Sequence, residues 1–284
     1  MLLYGLYRAV GTAVFFLSYP LVLLLCRLWP HDGLGLRQRL GLTVPTCRIR
    51  NDGTPRVWIH AASVGEVAAA GVLIRELTAV GRPLDFVLTT MTVQGLAVAR
   101  QQLPPATCSF LAPLDVARVV RRVLALVQPD IYVCLETELW PAMLGELRKA
   151  GTRMVLLNGR MTARSFRRYR LVRGVMGPLL QGFAGVAVIR AEDGTRFAGL
   201  GVAPERIQVT GNIKFDFPPE DIPGTRLHYR KRLGVDREAV FICGSTRDGE
   251  ELLLARVYRT LAARLGGELV WVIAPRHLRR LPEV

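Results

Sequence analysis

The chain has 284 residues, half of them hydrophobic, with 38 Lys plus Arg against 23 Asp plus Glu and a formal net charge of +15. This length and composition exclude a disordered or low-complexity chain and leave room for two medium-sized cores, so two domains are expected. The excess charge is nearly all Arg and calls for an anionic partner; with no nucleic-acid reading module and no interleaved aromatic pattern, membrane and phosphorylated lipid rank above nucleic acid.

At the N-terminus, 18 uncharged residues separate Arg8 from Arg27, close to the roughly 20 that cross a bilayer. The run passes into Cys26-Arg27-Leu28-Trp29-Pro30 and a basic stretch from Arg37 to Arg39, with no small-residue cleavage site. An uncleaved membrane anchor over residues 1–30 is therefore expected, with the bulk of the chain on the cytoplasmic side. Pro20 would kink a spanning helix, so an interfacial helix edged by Tyr4, Tyr7 and Trp29 is the open alternative.

From Arg56 onward, short β-branched runs alternate with amphipathic stretches. RVWIH, LDFVLTT, CSFLAP, DIYVCLE, RMVLLN and GVAVI read as strands. GEVAAAGVLIRELTAV, VQGLAVARQQL, VARVVRRVLALV, LWPAMLGELRKA and EDGTRFAGL read as helices. That order predicts an α/β domain with a parallel sheet over residues 31–214. Phe215 to Gly224, with three prolines, reads as a linker. A second α/β unit, residues 215–284, follows with a short basic helix, strand AVFICGS, helix GEELLLARVYRTLAARL and strand ELVWVIAP. Its length is about half or less of a complete Rossmann-like domain, so a partial second domain is expected.

Several stretches at strand ends carry chemistry. His60-Ala-Ala-Ser-Val-Gly-Glu66 closes a strand and opens a helix, which puts Glu66 at the carboxyl edge of the sheet, either as a general base or as a first-turn helix cap. Glu136-Thr-Glu138-Leu-Trp-Pro141 ends a buried strand, with helix-start acids as the plain alternative. Asn158-Gly-Arg160-Met-Thr-Ala-Arg164-Ser-Phe-Arg167 follows another strand; guanidinium forks match phosphates, and a solvated helix face is the competing reading. Lys214, one of only three lysines, follows Gly211 just before the linker and either faces a cleft or is a solvated hinge charge. Gly244-Ser245-Thr246-Arg247-Asp248-Gly249 opens a helix, a position where backbone donors receive phosphates, and Ala274-Pro275-Arg276-His277 ends the last strand. The five cysteines are scattered without a CxxC pair, and the four histidines sit far apart; free thiols and no metal site are expected.

HAASVGE, ETELWP, NGRMTARS, RFAGLG, VTGNIKFD, GSTRDGEE and APRH, in that order, resemble the bacterial 3-deoxy-D-manno-octulosonic acid (Kdo) transferases of lipopolysaccharide assembly, along essentially the whole chain. The resemblance implies a glycosyltransferase-B architecture, two Rossmann-like domains. It implies an inverting transfer of Kdo from CMP-Kdo to a lipid A precursor, lipid IVA, at the cytoplasmic face of the bacterial inner membrane. On it, Glu66 is the general base, Glu136 and Lys214 stabilise the transition state, and Pro275 with Arg276 contacts CMP. Arg160, Arg164, Ser245 and Thr246 are the further substrate-binding candidates; no metal or cofactor is implied. The sequence departs from the family pattern at Arg247, where His is expected, at Gly159, where Ala is usual, and at Ile189, where Gln often stands. The family's Gly-rich GGHNPLE-type segment has no counterpart up to Val284. Another sugar-nucleotide transferase of the same fold, or an inactive membrane-bound fragment, are the alternative readings.

Overall fold

A computed structural model describes residues 2–28, 35–43, 53–216, 224–236, 238–266 and 268–283. The chain divides into two compact units, Met1–Pro218 and Pro219–Val284. The first begins with helices α1 (Leu2–Leu28) and α2 (Leu36–Arg39), then alternates β1 (Arg56–His60), α3 (Val64–Ala79), β2 (Asp85–Thr90), α4 (Val93–Gln102), β3 (Cys108–Leu111) and α5 (Ala117–Val127). It continues through β4 (Ile131–Leu135), α6 (Pro141–Lys149), β5 (Arg153–Gly159), α7 (Ala163–Leu171), α8 (Arg173–Leu180), β6 (Phe183–Val188), α9 (Ala191–Leu200) and β7 (Ile207–Val209).

The seven strands form one parallel sheet in the order β3-β2-β1-β4-β5-β6-β7. β1 is buried along its whole length, as the near-continuous apolar run of a doubly covered strand requires. Side chains alternate between the two faces. Trp58, Tyr132 and Cys134 enter a core shared with Phe110, Val123, Leu144 and Met143. Ile59, Val133 and Leu135 enter the opposite one with Val67, Ile74 and Leu88. Trp58 and Tyr132 meet edge to face, with ring centroids 5.5 Å apart; such a pair adds about 1 kcal/mol beyond its buried area. At the amino end of β1 the buried Arg56 holds the sheet to its loops. Its Nε donates to Asp85 at 2.6 Å, its Nη1 to the Val127 carbonyl at 2.6 Å, and its backbone N–H to Asp130 at 2.7 Å.

The order of strands fixes where a ligand can sit. β1, β2 and β3 run outward in one direction; the chain then crosses back and places β4 on the other flank of β1. The crevice at the carboxyl ends of β1 and β4 is the topological switch point, where open α/β sheets bind ligands.

α1 lies against the sheet domain through polar contacts near its start. Tyr7 Oη donates to Asp115 at 2.7 Å, and Arg8 pairs with the buried Glu146 of α6 at 3.1 Å. Leu6, Val10, Val14 and Leu17 are exposed. Among the described residues, no helix is long and apolar enough to cross a membrane.

β7 and the division of the Arg-rich stretch into α7 and α8 are absent from the sequence reading. β7 is only three residues long, too short for a period to register. Cys134 and Cys243 are free and buried. Cys108 is disulfide-bonded; this corrects the expectation that every thiol is free. Pairing depends on which Cβ atoms the fold brings within bonding reach, which scattered spacing does not reveal.

The second unit contains α10 (Thr225–Leu233), β8 (Ala239–Thr246), α11 (Glu250–Arg264) and β9 (Leu269–Pro275), with β8 and β9 parallel. Tyr258 stacks on Trp271 at 5.3 Å and donates to the Leu269 carbonyl at 3.0 Å, which fastens α11 to β9. Of the expected linker, residues 217–223 lie outside the described residues.

Candidate active site

Glu66 and Glu136 stand at the two strand ends that bound the switch point, one turn into α3 after β1 and directly after β4. Ser63 is the N-cap of α3: its hydroxyl accepts the Glu66 N–H at 3.4 Å and donates to Glu66 Oε1 at 2.8 Å, while the Ala62 N–H donates to Oε2 at 2.9 Å. The capping role is therefore realised. It also fixes the carboxylate in the crevice, 95% removed from solvent. Burial pushes the Glu66 carboxyl above the usual range; its two hydrogen bonds pull the other way, and the negative charges of Glu136 and Glu138 reinforce the rise.

Glu136 adopts a left-handed backbone, φ 56°, a conformation that costs a non-glycine residue on the order of 1–3 kcal/mol and clusters at functional sites. The Glu136 N–H still reaches the Leu157 carbonyl at 2.9 Å, so the turn leaves β4 without losing its link to β5. Two residues on, Glu138 accepts from Trp140 Nε1 at 3.0 Å, and burial raises its carboxyl too.

Lys214 arrives from the far side of the sheet. It sits in a short 3-10 turn, Ile213–Phe215, after β7; the Asn212 side chain accepts the Lys214 N–H at 3.1 Å, and Asn158, at the end of β5, accepts the Ile213 N–H at 3.2 Å. The Lys214 ammonium donates to Glu136 Oε1. Its Nζ also lies against the first turn of α3: a Cβ added at Gly65 would stand 3.7 Å from it. Glu66, Glu136 and Lys214 are thus one cluster, a carboxyl shifted towards basicity beside an ion pair.

Arg160 follows β5, and its backbone is bound to Thr137: the Thr137 hydroxyl donates to the Arg160 carbonyl and accepts the Arg160 N–H at 3.3 Å. This puts Arg160 beside the acidic turn with its side chain exposed. Arg164 stands exposed in the first turn of α7, capped by Thr162. The other candidates belong to the second unit, where Thr246 and Pro275 are register partners at the carboxyl edge and the Arg276 N–H donates to the Thr246 carbonyl at 3.0 Å. Ser245 there has φ 60°. Arg280 holds Glu251 with contacts of 3.0 and 3.2 Å and lowers its carboxyl to about 2. Among the described residues, no group of three or more His, Cys, Asp or Glu side chains could hold a metal ion.

Two residues of the site escape the sequence reading as functional: Asn158, which positions the Lys214 turn, and Asn212, which caps that turn. The signal for Asn158 was available, a polar side chain placed directly after the apolar run of a strand.

A family model described as 3-deoxy-D-manno-octulosonic-acid transferase (kdotransferase) matches residues 35–217. The 3-deoxy-D-manno-octulosonic acid transferase of Haemophilus influenzae is 29% identical over 279 residues, 97% of this chain and 64% of its own length. That of Chlamydia trachomatis serovar A is 27% identical, covering 98% of this chain and 64% of its own length. A bifunctional glycosyltransferase/methyltransferase of Fusobacterium nucleatum is 30% identical over 80% of this chain and 35% of its own length. The chain spans less than two thirds of the length of these relatives. Among solved structures, the UDP-GlcNAc 2-epimerase from Methanocaldococcus jannaschii superposes with TM-score 0.56 at 12% identity over 81% of this chain and 68% of its own. A glycosyltransferase from Rickettsia africae gives 0.50 at 8% identity, over 78% and 69%. At such identities the likeness shows the fold, a glycosyltransferase-B type α/β architecture.

Proposed function

The chain belongs to the 3-deoxy-D-manno-octulosonic-acid (Kdo) transferase family, and on that premise we propose that its protein moves Kdo from CMP-Kdo to a hydroxyl of a lipid A precursor, lipid IVA, with inversion at the anomeric carbon. The observation that carries this reading is the convergence of Glu66, Glu136 and Lys214 at the switch point of the sheet.

The chemistry follows from the charges. The acceptor oxygen forms a bond to the anomeric carbon as the bond to the CMP phosphate oxygen breaks, and the electron pair of that bond leaves with CMP. The acceptor loses a proton, which Glu66 receives; burial makes its carboxylate a better base than one in water. Positive character grows at the sugar carbon and negative charge on the leaving phosphate. Glu136 answers the first and Lys214 the second, or the carboxylate of Kdo itself, from fixed positions that cost no reorganisation during the reaction. In this reading Pro275, Arg276, Ser245 and Thr246 hold CMP, and Arg160 and Arg164 take phosphates of the acceptor. α1, with its exposed apolar residues, attaches the protein to the cytoplasmic face of the inner membrane. No metal or cofactor is invoked in this reading, in which Lys214 and the arginines offset the charges that develop.

The test is Kdo transfer from CMP-Kdo to lipid IVA by membranes carrying the protein, beside Glu66→Gln and with CMP or UDP as competitor. Transfer that CMP inhibits and Glu66→Gln abolishes upholds the reading. Transfer unaffected by Glu66→Gln removes Glu66 as the base, and inhibition by UDP in place of CMP replaces the donor.

A further inference from the structure

α6 starts where the acidic turn ends, and its start is capped from elsewhere in the chain. The N-cap residue, Trp140, makes no side-chain cap, and Pro141, at the first helical position, has no N–H to give. The next two amides both go to one half-buried carboxylate in the loop between β3 and α5: Asp115 Oδ2 accepts the Ala142 N–H at 3.0 Å, and Oδ1 accepts the Met143 N–H at 2.8 Å. The Leu144 N–H then reaches the Trp140 carbonyl at 2.9 Å. Asp115 thus supplies from a distant loop the acceptors that a local cap would provide, with its negative charge at the positive end of the helix dipole.

The same carboxylate is bound by α1. Tyr7 Oη donates to Asp115 Oδ2 at 2.7 Å, the oxygen that also holds Ala142. α1 grips α6 again one turn on: Arg8 pairs with Glu146 at 3.1 Å, and Tyr4 lies so close over Gly145 that a Cβ there would overlap its hydroxyl. On the other side of the cap lies the site. Trp140 Nε1 donates to the Glu138 carboxylate at 3.0 Å, the Cys134 thiol donates to the Glu138 carbonyl at 3.2 Å, and Glu136, two residues earlier, pairs with Lys214.

We propose that Asp115 is a positioning residue for the reaction: by holding the start of α6 it sets Trp140, and through Trp140 the turn that carries Glu136 and Glu138, while the Tyr7 hydroxyl makes that setting depend on where α1 is seated. Capping accounts for the two amide bonds. It does not account for the third, from a tyrosine that is 39% exposed and has water as an alternative acceptor. The kinetic side of the inference rests on the Kdo-transfer reading above, in which α1 rests on the membrane; the seat of that helix then reaches the catalytic turn through three side chains, Tyr7, Asp115 and Trp140.

Two measurements on the full chain in detergent micelles test it. In the first, the Trp140 indole N–H resonance, identified by its loss in Trp140→Phe, reports the bond to Glu138. Three variants are expected to move it: Asp115→Asn, which keeps one acceptor for α6; Tyr7→Phe, which removes only the contact from α1; and Gly145→Ala, which displaces Tyr4 while favouring the helix. The Trp58 indole resonance, held by Thr89 at 2.9 Å, should stay in place. A Trp140 resonance unchanged in either Asp115→Asn or Tyr7→Phe overturns the proposal, whether or not any Kdo is transferred. In the second, Tyr7→Phe and Gly145→Ala are expected to lower kcat by about 10-fold with KM for CMP-Kdo unchanged, as slight misplacement of a catalytic group does. A lowered Tm with kcat unchanged means that these contacts only stabilise the fold, and it also overturns the proposal. Absence of transfer by the wild type sinks the Kdo reading and leaves the indole resonances to decide this one.

Discussion

Lys214 and Glu136, 78 residues apart in sequence, form an ion pair at the carboxyl edge of the sheet. One side chain comes from the turn after β7 and the other from a left-handed residue after β4, so the pair exists only because β4, β5, β6 and β7 lie side by side. Lys214→Met is expected to lower kcat by about 10²- to 10³-fold, the loss typical of a preorganised charge aimed at a transition state. Glu136→Gln should do the same, and the double variant should lose little more than either single one, since the two act as a unit. Steady-state kinetics on the three variants decide it.

Glu66→Gln separates catalysis from stability. The folded carboxyl is raised above its unfolded value, so folding favours the protonated form. The stability this group contributes is full below the ordinary glutamate range and is lost as pH rises through the raised folded value. Gln mimics the neutral form. Its Tm should exceed that of wild type at pH 7 to 8 and the gap should close as pH falls below the carboxylate range, while transfer is lost at every pH. The acid limb of the wild-type kcat profile should lie above the usual carboxylate range for the same reason. Thermal melts across pH, paired with the rate profile, check both.

Asn158 anchors the turn that carries Lys214. Its side chain accepts the Ile213 N–H, and its own backbone is left-handed at φ 56°, which Asn tolerates better than most residues. Asn158→Ala should destabilise the fold by about 1–3 kcal/mol, as for a lost buried hydrogen bond. It should also reduce kcat about 10-fold with KM for the donor little changed, because the lysine turn loses its anchor. Asn158→Asp keeps the acceptor and is expected to restore most of the rate; a purely structural role would give no such recovery.

In the second unit, Arg280 lowers the Glu251 carboxyl from 4.5 to about 2. A depressed folded value means the stabilisation is present above pH 4.5 and disappears as pH falls towards 2. Arg280→Met should flatten the acid dependence of unfolding in that window and leave it unchanged above pH 6. Denaturant midpoints measured from pH 2 to 7 show it directly.

Much of the fold is legible in the chain because its signals are local. RVWIH and DIYVCLE are apolar between their polar ends, and they occupy central strands. Ser63 three residues before Glu66 is a cap that the sequence spells out, and the structure forms it. β7 was missed, being held by pairing with β6 more than by its own composition. Glu66, Glu136 and Lys214 could each be picked out at a strand end or turn, yet each had a plain alternative as a cap, a helix-start acid or a hinge charge, and no local pattern could choose.

The sequence by itself determined the alternation of strands and helices, the apolar faces, the caps and the strand ends where charged residues fall, since burial period and backbone preference act over a few residues. Tertiary structure alone decided that the chain crosses back after β3 to put β4 against β1, that Lys214 reaches Glu136, that Cys108 is bonded, and that His60 is buried with a ring nitrogen that has no partner among the described residues. Those relationships join residues tens of positions apart, and their energies come from packing and from the desolvation of polar groups, which exist only once the core has closed.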